Sequence, residues 1–304
     1  MISIIFSFYN EQESLPVLFK RIRDVMSQEN EQYELIFVND NSTDNSSQII
    51  SKQEKIPGES IIAVNMSRRF GVEECFMAGI EVAQGDAVIL MYVDMQDPPE
   101  TIHEMLAKWR QGTDIVHTVR RTRIGENPAK ILISNIAYKW INATADIEIP
   151  RNAGDFKLIS RRAVNYIRTF TETEPYLRGL ISWVGFKQDY VYYDLQPRLY
   201  GNSKVPLFGK KALKVLLSGL VSFSGFPIYL IIFLTCAGLI GSLVILLFLF
   251  LSNQLQNPLG WITFFLITLW AITMGAVSII GVYILRVYQN TTHRPPYIIK
   301  DITR

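Results

Sequence analysis

Short apolar runs alternate with stretches of helical period through the first two-thirds of the chain. Runs at 2–8, 35–38, 61–65, 87–93 and 114–118 read as strands, and the segments 13–27, 43–53, 72–83 and 99–110 between them carry the helical spacing. This βαβαβαβαβ order predicts an α/β fold with a mostly parallel sheet and helices on both faces. The pattern then changes. From Val215 to Leu285 not one Asp, Glu, Lys or Arg occurs, and two apolar runs, 228–251 and 259–285, flank a short polar link. A 24-residue helix over the first would be about 36 Å long, against a hydrocarbon core of about 30 Å.

These runs predict a transmembrane helical hairpin. Lys204, Lys210, Lys211 and Lys214 precede it and Arg286, His293, Arg294 and Lys300 follow, while the link has no basic residue. The positive-inside bias therefore puts both flanks, and the N-terminal domain, in the cytoplasm. Leu213, Leu216, Leu217 and Leu220 oppose Lys210, Lys211 and Lys214 at helical spacing, the pattern of a helix lying in a membrane surface. The expected organisation is a catalytic domain 1–204, a juxtamembrane amphipathic segment 205–227, a hairpin 228–290 and a cytoplasmic tail 291–304. Gly238, Gly241, Ser242, Gly275 and Ala276 allow close helix contact within or between subunits, so a homo-oligomer is compatible with the sequence.

Composition narrows the class further. Hydrophobic residues make up 49% and charged residues 19%, which excludes a disordered chain, and the net charge of +2 gives no basic footprint for nucleic acid. Ile2 to Phe8 lacks a basic leader and runs directly into Asn10 and Glu11, so it reads as a strand and not as a signal peptide. Cys75 and Cys236 fall in different parts of the chain, do not suit a mutual disulfide and offer no metal-ligand spacing.

In parallel sheets of this kind ligands lie beyond the carboxyl ends of the strands. Four polar clusters are due there: FYNE, NDNSTD, SRRFG and DMQDPP. The last delivers Asp94, Gln96 and Asp97, hard oxygen ligands suited to Mg²⁺ or Mn²⁺ beside a diphosphate. Asp97 before Pro98 is also placed to cap a helix starting there.

In this order the clusters resemble glycosyltransferase family 2 and, within it, the polyprenyl-phosphate sugar synthases with a GT-A (Rossmann-like) fold. The carrying segments are SFYNE, VNDNSTD, SRRFG, YVDMQDPP, AGDFKLISRRAV, YLRGLISWVGF and RLYGNSK. The resemblance covers essentially the whole chain and is closest to bactoprenol glucosyltransferases, a bacterial inner-membrane, multi-pass group with two C-terminal membrane helices. It implies inverting transfer of a sugar, glucose first, from a UDP-sugar to undecaprenyl phosphate for cell-envelope glycan or O-antigen modification. It further implies that Tyr9, Glu11, Asp40 and Arg69 line the nucleotide pocket. Asp94 and Gln96 would hold the divalent ion, and Arg198, Ser203 and Lys204 would close over the diphosphate. Arg120, Arg121 and Lys130 would grip the acceptor phosphate, and Asp155 would orient the acceptor or assist its deprotonation.

The chain departs from the family pattern at Tyr92, where the first acid of D-x-D is expected, at Ser7 for Pro and at Asn41 for Gly. Tyr92 leaves a leaner metal site. A processive polysaccharide synthase is the competing enzyme, but its Q-x-x-R-W motif is missing from the sequence; a nucleotide-sugar-binding protein that has lost turnover is the competing non-enzyme.

Overall fold

Apolar runs without alternation are what strands covered on both faces require, and the first two strands of the computed structural model are buried along their whole length. The structure describes residues 1–121, 143, 150, 153–173, 175–198, 226–251 and 258–304. The first half builds β1 (Ile2–Phe8), α1 (Leu15–Met26), β2 (Tyr33–Asn39), α2 (Ser46–Ser51), β3 (Glu59–Met66), α3 (Val72–Val82), β4 (Ala87–Tyr92), α4 (Thr101–Arg110) and β5 (Ile115–Arg120). There follow β6 (Ala153–Ser160), α5 (Arg161–Ile167), α6 (Leu177–Trp183), β7 (Gln188–Tyr193), α7 (Phe226–Leu251), α8 (Pro258–Thr291) and β8 (Ile299–Thr303).

All eight strands join one sheet in the order β7-β5-β6-β4-β1-β2-β3-β8. The β4-β1-β2-β3 core is parallel, as is the β5/β7 pair, whereas β6 runs antiparallel to both β4 and β5. The alternation of side chains sends Ile4 and Phe6 to one face with Leu18, Phe19 and Ile22 of α1, and Ile5 to the other with Phe76 of α3 and Val164 of α5. Each fully buried Leu, Ile or Phe in these two layers stabilises the fold by about 1.5–3 kcal/mol. On the second face α3 lies close to β1 because Gly79 has no side chain: a Cβ there would stand 2.3 Å from Ile5 Cγ2.

Three features depart from the sequence pattern. Strands β6 and β7 are added beyond the five apolar runs. The final segment, expected as a tail, carries β8, antiparallel to β3. The helix after Pro98 starts only at Thr101, with Glu100 at its N-cap, so Asp97 does not cap it. Asp97 is instead buried, at 1% exposure, and accepts a hydrogen bond from the Tyr193 hydroxyl. That partner comes from a strand distant in sequence, which local capping rules cannot anticipate.

Helices α7 and α8 meet where Gly238 faces Ile272. Among the described residues one helix, Phe265–Thr291, is long and apolar enough to cross a membrane, and Ile228–Gly241 is a shorter apolar helix. The end of α8 is fastened to the sheet domain: Thr173 Oγ1 donates to the Gln289 carbonyl at 3.0 Å and Tyr297 donates to Glu81 at 2.6 Å. The 205–227 amphipathic segment, the 252–257 link, Lys130, Ser203 and Lys204 lie outside the described residues.

Candidate active site

Three of the four polar clusters turn through a non-glycine residue with positive φ: Asn10 (53°), Asn41 (59°) and Met95 (61°). Left-handed backbone costs a side-chain-bearing residue about 1 kcal/mol or more, and such residues collect at functional loops. At Met95 the cause is visible. Its side chain is wholly buried in the α1/α4 layer, which anchors the loop that carries Asp94 and Gln96.

The residues expected at the nucleotide form two contact groups. The Arg69 guanidinium stacks over the Tyr9 ring at 3.9 Å, and its Nε lies 3.7 Å from Asp40 Oδ2. Asp40, 5% exposed, accepts hydrogen bonds through Oδ1 from the Phe70 and Gly71 amides at 2.7 and 3.3 Å. Gly71 has φ of 139°, which suits glycine and lets the chain turn its amide toward Asp40 as α3 begins. Asp40 thus ties SRRFG to NDNSTD. Glu11 and Asp94 are brought together by Arg198, which pairs with Glu11 and lies 4.0 Å from Asp94 Oδ2.

Burial and the neighbouring Asp97 charge push the Asp94 carboxyl up to about 6, while the Gln96 amide at 3.3 Å and Arg198 work the other way. A half-buried carboxylate whose charged form is disfavoured is a group that a cation would stabilise. Beside it, Arg120 stands 3.7 Å from Asp97 and donates to the Tyr193 hydroxyl at 3.1 Å; Arg121 is exposed and its amide donates to the Tyr193 carbonyl at 2.8 Å.

Asp155 occupies a different setting, inside β6. Arg178 grips it with two hydrogen bonds, Nε to Oδ1 at 2.6 Å and Nη2 to Oδ2 at 2.8 Å, and the Tyr92 hydroxyl donates to Oδ2 at 2.5 Å. Burial alone would raise this carboxyl, but Arg178, Lys157 and Tyr92 together hold it well below the usual carboxylate range. Tyr92 moves the opposite way, raised by burial and by the Asp155 charge. The phenol at the D-x-D position therefore serves Asp155 as a donor.

A family match decides what this arrangement belongs to. Residues 3–168, from β1 through α5, match the model of glycosyl transferase family 2. The chain belongs to that family. It is a glycosyltransferase, and its whole length is shared with relatives. A Bacillus subtilis protein named as an uncharacterized glycosyltransferase, YkcC, is 36% identical over 98% of this chain and 93% of its own. The bactoprenol glucosyl transferase of Shigella phage SfV is 33% identical over 99% of this chain and 98% of its own. A prophage bactoprenol glucosyl transferase homolog of Escherichia coli K12 is 32% identical over 100% and 99%.

For a family 2 transferase the donor set at the sheet edge fits a hard divalent ion: the Asp94 carboxylate with the Gln96 side chain. Among the described residues no group of three or more His, Cys, Asp or Glu side chains is placed to bind a metal, so such an ion would draw its remaining ligands from diphosphate and water. Sequence reasoning did not assign Arg178, Glu73 or Lys157. Glu73, on α3, accepts from the Leu177 amide at 3.0 Å and is pushed up to about 7 by burial and by Asp155. Lys157, 2% exposed, is brought down to about 8 by burial. The one signal available was the pair of charges in the strand pattern AGDFKLIS, which a buried strand tolerates only with partners.

Proposed function

We propose that this family 2 glycosyltransferase moves a sugar, glucose first, from a UDP-sugar to a polyprenyl phosphate at a membrane surface, with inversion at the anomeric carbon. The observation that carries the reading is end-to-end similarity to bactoprenol glucosyl transferases, including the apolar helices beyond the family-matched domain. In this reading α7 and α8 form the two-span hairpin of a bacterial inner-membrane protein, with the sheet domain in the cytoplasm, and the basic 205–227 segment lies in the headgroup layer.

The chemistry needs little proton transfer from the protein. A phosphate monoester has a second pKa near 6, so around pH 7 the acceptor is mostly dianionic and its oxygen is already a nucleophile. That agrees with Asp155, which its two partners keep as an anion and which is too weak a base to take a proton; we assign it the orientation of the acceptor side of the site. Tyr9 and Arg69 offer a stacked platform for the base, and Asp40 holds the loops that frame it. Arg198, with Ser203 and Lys204, would exchange its contacts with Glu11 and Asp94 for the donor diphosphate. A bound Mg²⁺ or Mn²⁺ on Asp94 and Gln96 would neutralise charge on the departing UDP. Arg120, Arg121 and Lys130 are assigned to the acceptor phosphate; Arg120 would have to share itself with Asp97.

Membranes containing the chain, incubated with undecaprenyl phosphate, a panel of labelled UDP-sugars and Mg²⁺ or Mn²⁺, test this directly. Acid-labile labelled lipid from one donor, lost in Asp94→Ala, is expected. UDP binding without labelled lipid from any donor would leave a binding protein and defeat the transferase-to-lipid reading.

A further inference from the structure

A line of side-chain amides leads from the last strand to the nucleotide loops. In the β3/β8 pair Asn65 stands opposite Asp301, and Asn65 Nδ2 donates to Asp301 Oδ1 at 2.6 Å. Asn65 Oδ1 accepts in turn from Asn39 Nδ2 at 3.0 Å, the same Nδ2 that donates to Ser47 Oγ at 2.8 Å. Asn39 Oδ1 then accepts from the Ser42 backbone amide at 2.8 Å, and Ser42 Oγ accepts from the Asn10 amide at 2.9 Å. The line ends between Asp40 and Tyr9. A second contact from the same tail, the Ser67 amide to the Ile298 carbonyl at 3.0 Å, fixes the first residue of SRRFG.

An amide has a donating end and an accepting end, whereas an ionised carboxylate only accepts. Asp301 therefore sets the polarity of the whole line. It demands N–H from Asn65, which turns the Asn65 oxygen toward Asn39; Asn39 must then give its N–H to Asn65 and its oxygen to Ser42. Without Asp301, water can satisfy either end of Asn65, and the flipped amide would set N–H against N–H at Asn39. We propose that Asp301 is a positioning residue for the donor pocket, orienting the Asn65 and Asn39 amides in series and through them the backbone at residues 40–44 and 9–11. The proposal rests on the donor reading given above.

The test uses the full chain in detergent, with UDP and Mn²⁺ in a titration calorimeter. Losing one such hydrogen bond at a partly exposed site is worth about a three- to tenfold change in binding. Asp301→Asn, which can still present an oxygen, should bind UDP within about twofold of the unaltered chain; Asp301→Ala should be about threefold weaker and Asp301→Lys, a donor facing a donor, about tenfold weaker. Adding Asn65→Asp to Asp301→Lys should restore binding, because a carboxylate at 65 accepts from the lysine and from Asn39 alike and so returns the line to its polarity. A purely structural role for the tail strand would leave UDP binding unmoved by Asp301→Lys, since the lysine can still donate to the Asn65 oxygen across the strand pair. Hydrogen–deuterium exchange over residues 39–46 should follow the same order without nucleotide. Unchanged affinity and exchange in Asp301→Lys, or no rescue of Asp301→Lys by Asn65→Asp, would overturn the proposal. If the unaltered chain binds no UDP, the donor reading falls and takes the role of Asp301 toward the donor with it; exchange that still follows the order would keep the amide relay alone.

Discussion

The two halves of the sheet are held by different forces. On the β1-β2-β3 side the loops are set by hydrogen bonds from backbone amides to short side chains: Ser42 to Asn39, Asn10 to Ser42, Glu11 to Ser46, and Phe70 to Asp40. On the β4-β6-β5-β7 side they are set by buried charge: Asp155 with Arg178, Asp97 with Arg120, and Lys157 and Glu73 beside them. Most of the first set are neutral hydrogen bonds, which fix a shape and respond little to pH, and the Asp40 carboxylate beside Arg69 is the charged member among them. Buried ion pairs fix a potential as well, at the cost of desolvation, and they titrate. In the proposed function the first half would recognise a base and ribose and the second would orient an anionic acceptor.

The comparison makes distinct demands on substitutions. The largest effect is expected at the junction of the halves: Asp94→Ala should lower lipid-linked sugar formation by about 100-fold or more, while circular dichroism reports an intact fold. Next, Arg178→Ala leaves the Asp155 charge buried and should destabilise the domain by about 3 kcal/mol in denaturant titration; Arg178→Lys, unable to grip both oxygens, should recover little of it. A loss no larger than that of a loop substitution would end the distinction drawn here.

Of similar size, but confined to high pH, is the effect of Glu73. Its pKa in the fold, about 7, lies above the ordinary 4.5, so the folded state holds the proton more tightly than the unfolded chain. The stability it lends is complete below about pH 4.5 and is lost as pH rises through 7, a change of roughly 3 kcal/mol. Glu73→Gln should therefore raise the melting temperature at pH 8 and leave it nearly unchanged at pH 4.5. The smallest effect belongs to the neutral half: Tyr9→Ala, which removes the Arg69 stack, should weaken UDP about threefold at any pH between 6 and 8.

What the sequence reveals follows the same division. Strands β1, β2 and β4 are legible because burial on both faces leaves mainly apolar runs, β3 because its middle is apolar, and the loops after them are legible because turn and capping residues are local. Strand β6 is hidden by Asp155 and Lys157, which look like surface residues until Arg178 and Tyr92, 23 and 63 positions away, are seen to meet Asp155. No spacing rule encodes such a pairing. Strand β8 is hidden because IKDIT is short and largely exposed, with little apolar signature. The resemblance pointed to Tyr9, Glu11, Asp40, Arg69, Asp94 and Arg198 as neighbours, and in the fold contacts do link them in two groups; it could not say that Tyr92 would spend its hydroxyl on Asp155.

The return of the chain after α8 also imposes an arithmetic of sides. Residues 299–303 pair with β3, so they lie in the same compartment as the sheet. A chain that leaves a compartment and comes back must cross the barrier an even number of times. If the 265–291 helix spans a bilayer, a single-pass protein is excluded, and a second crossing has to be found between Arg198 and Pro258. The 26 residues of α7 are where that count would balance.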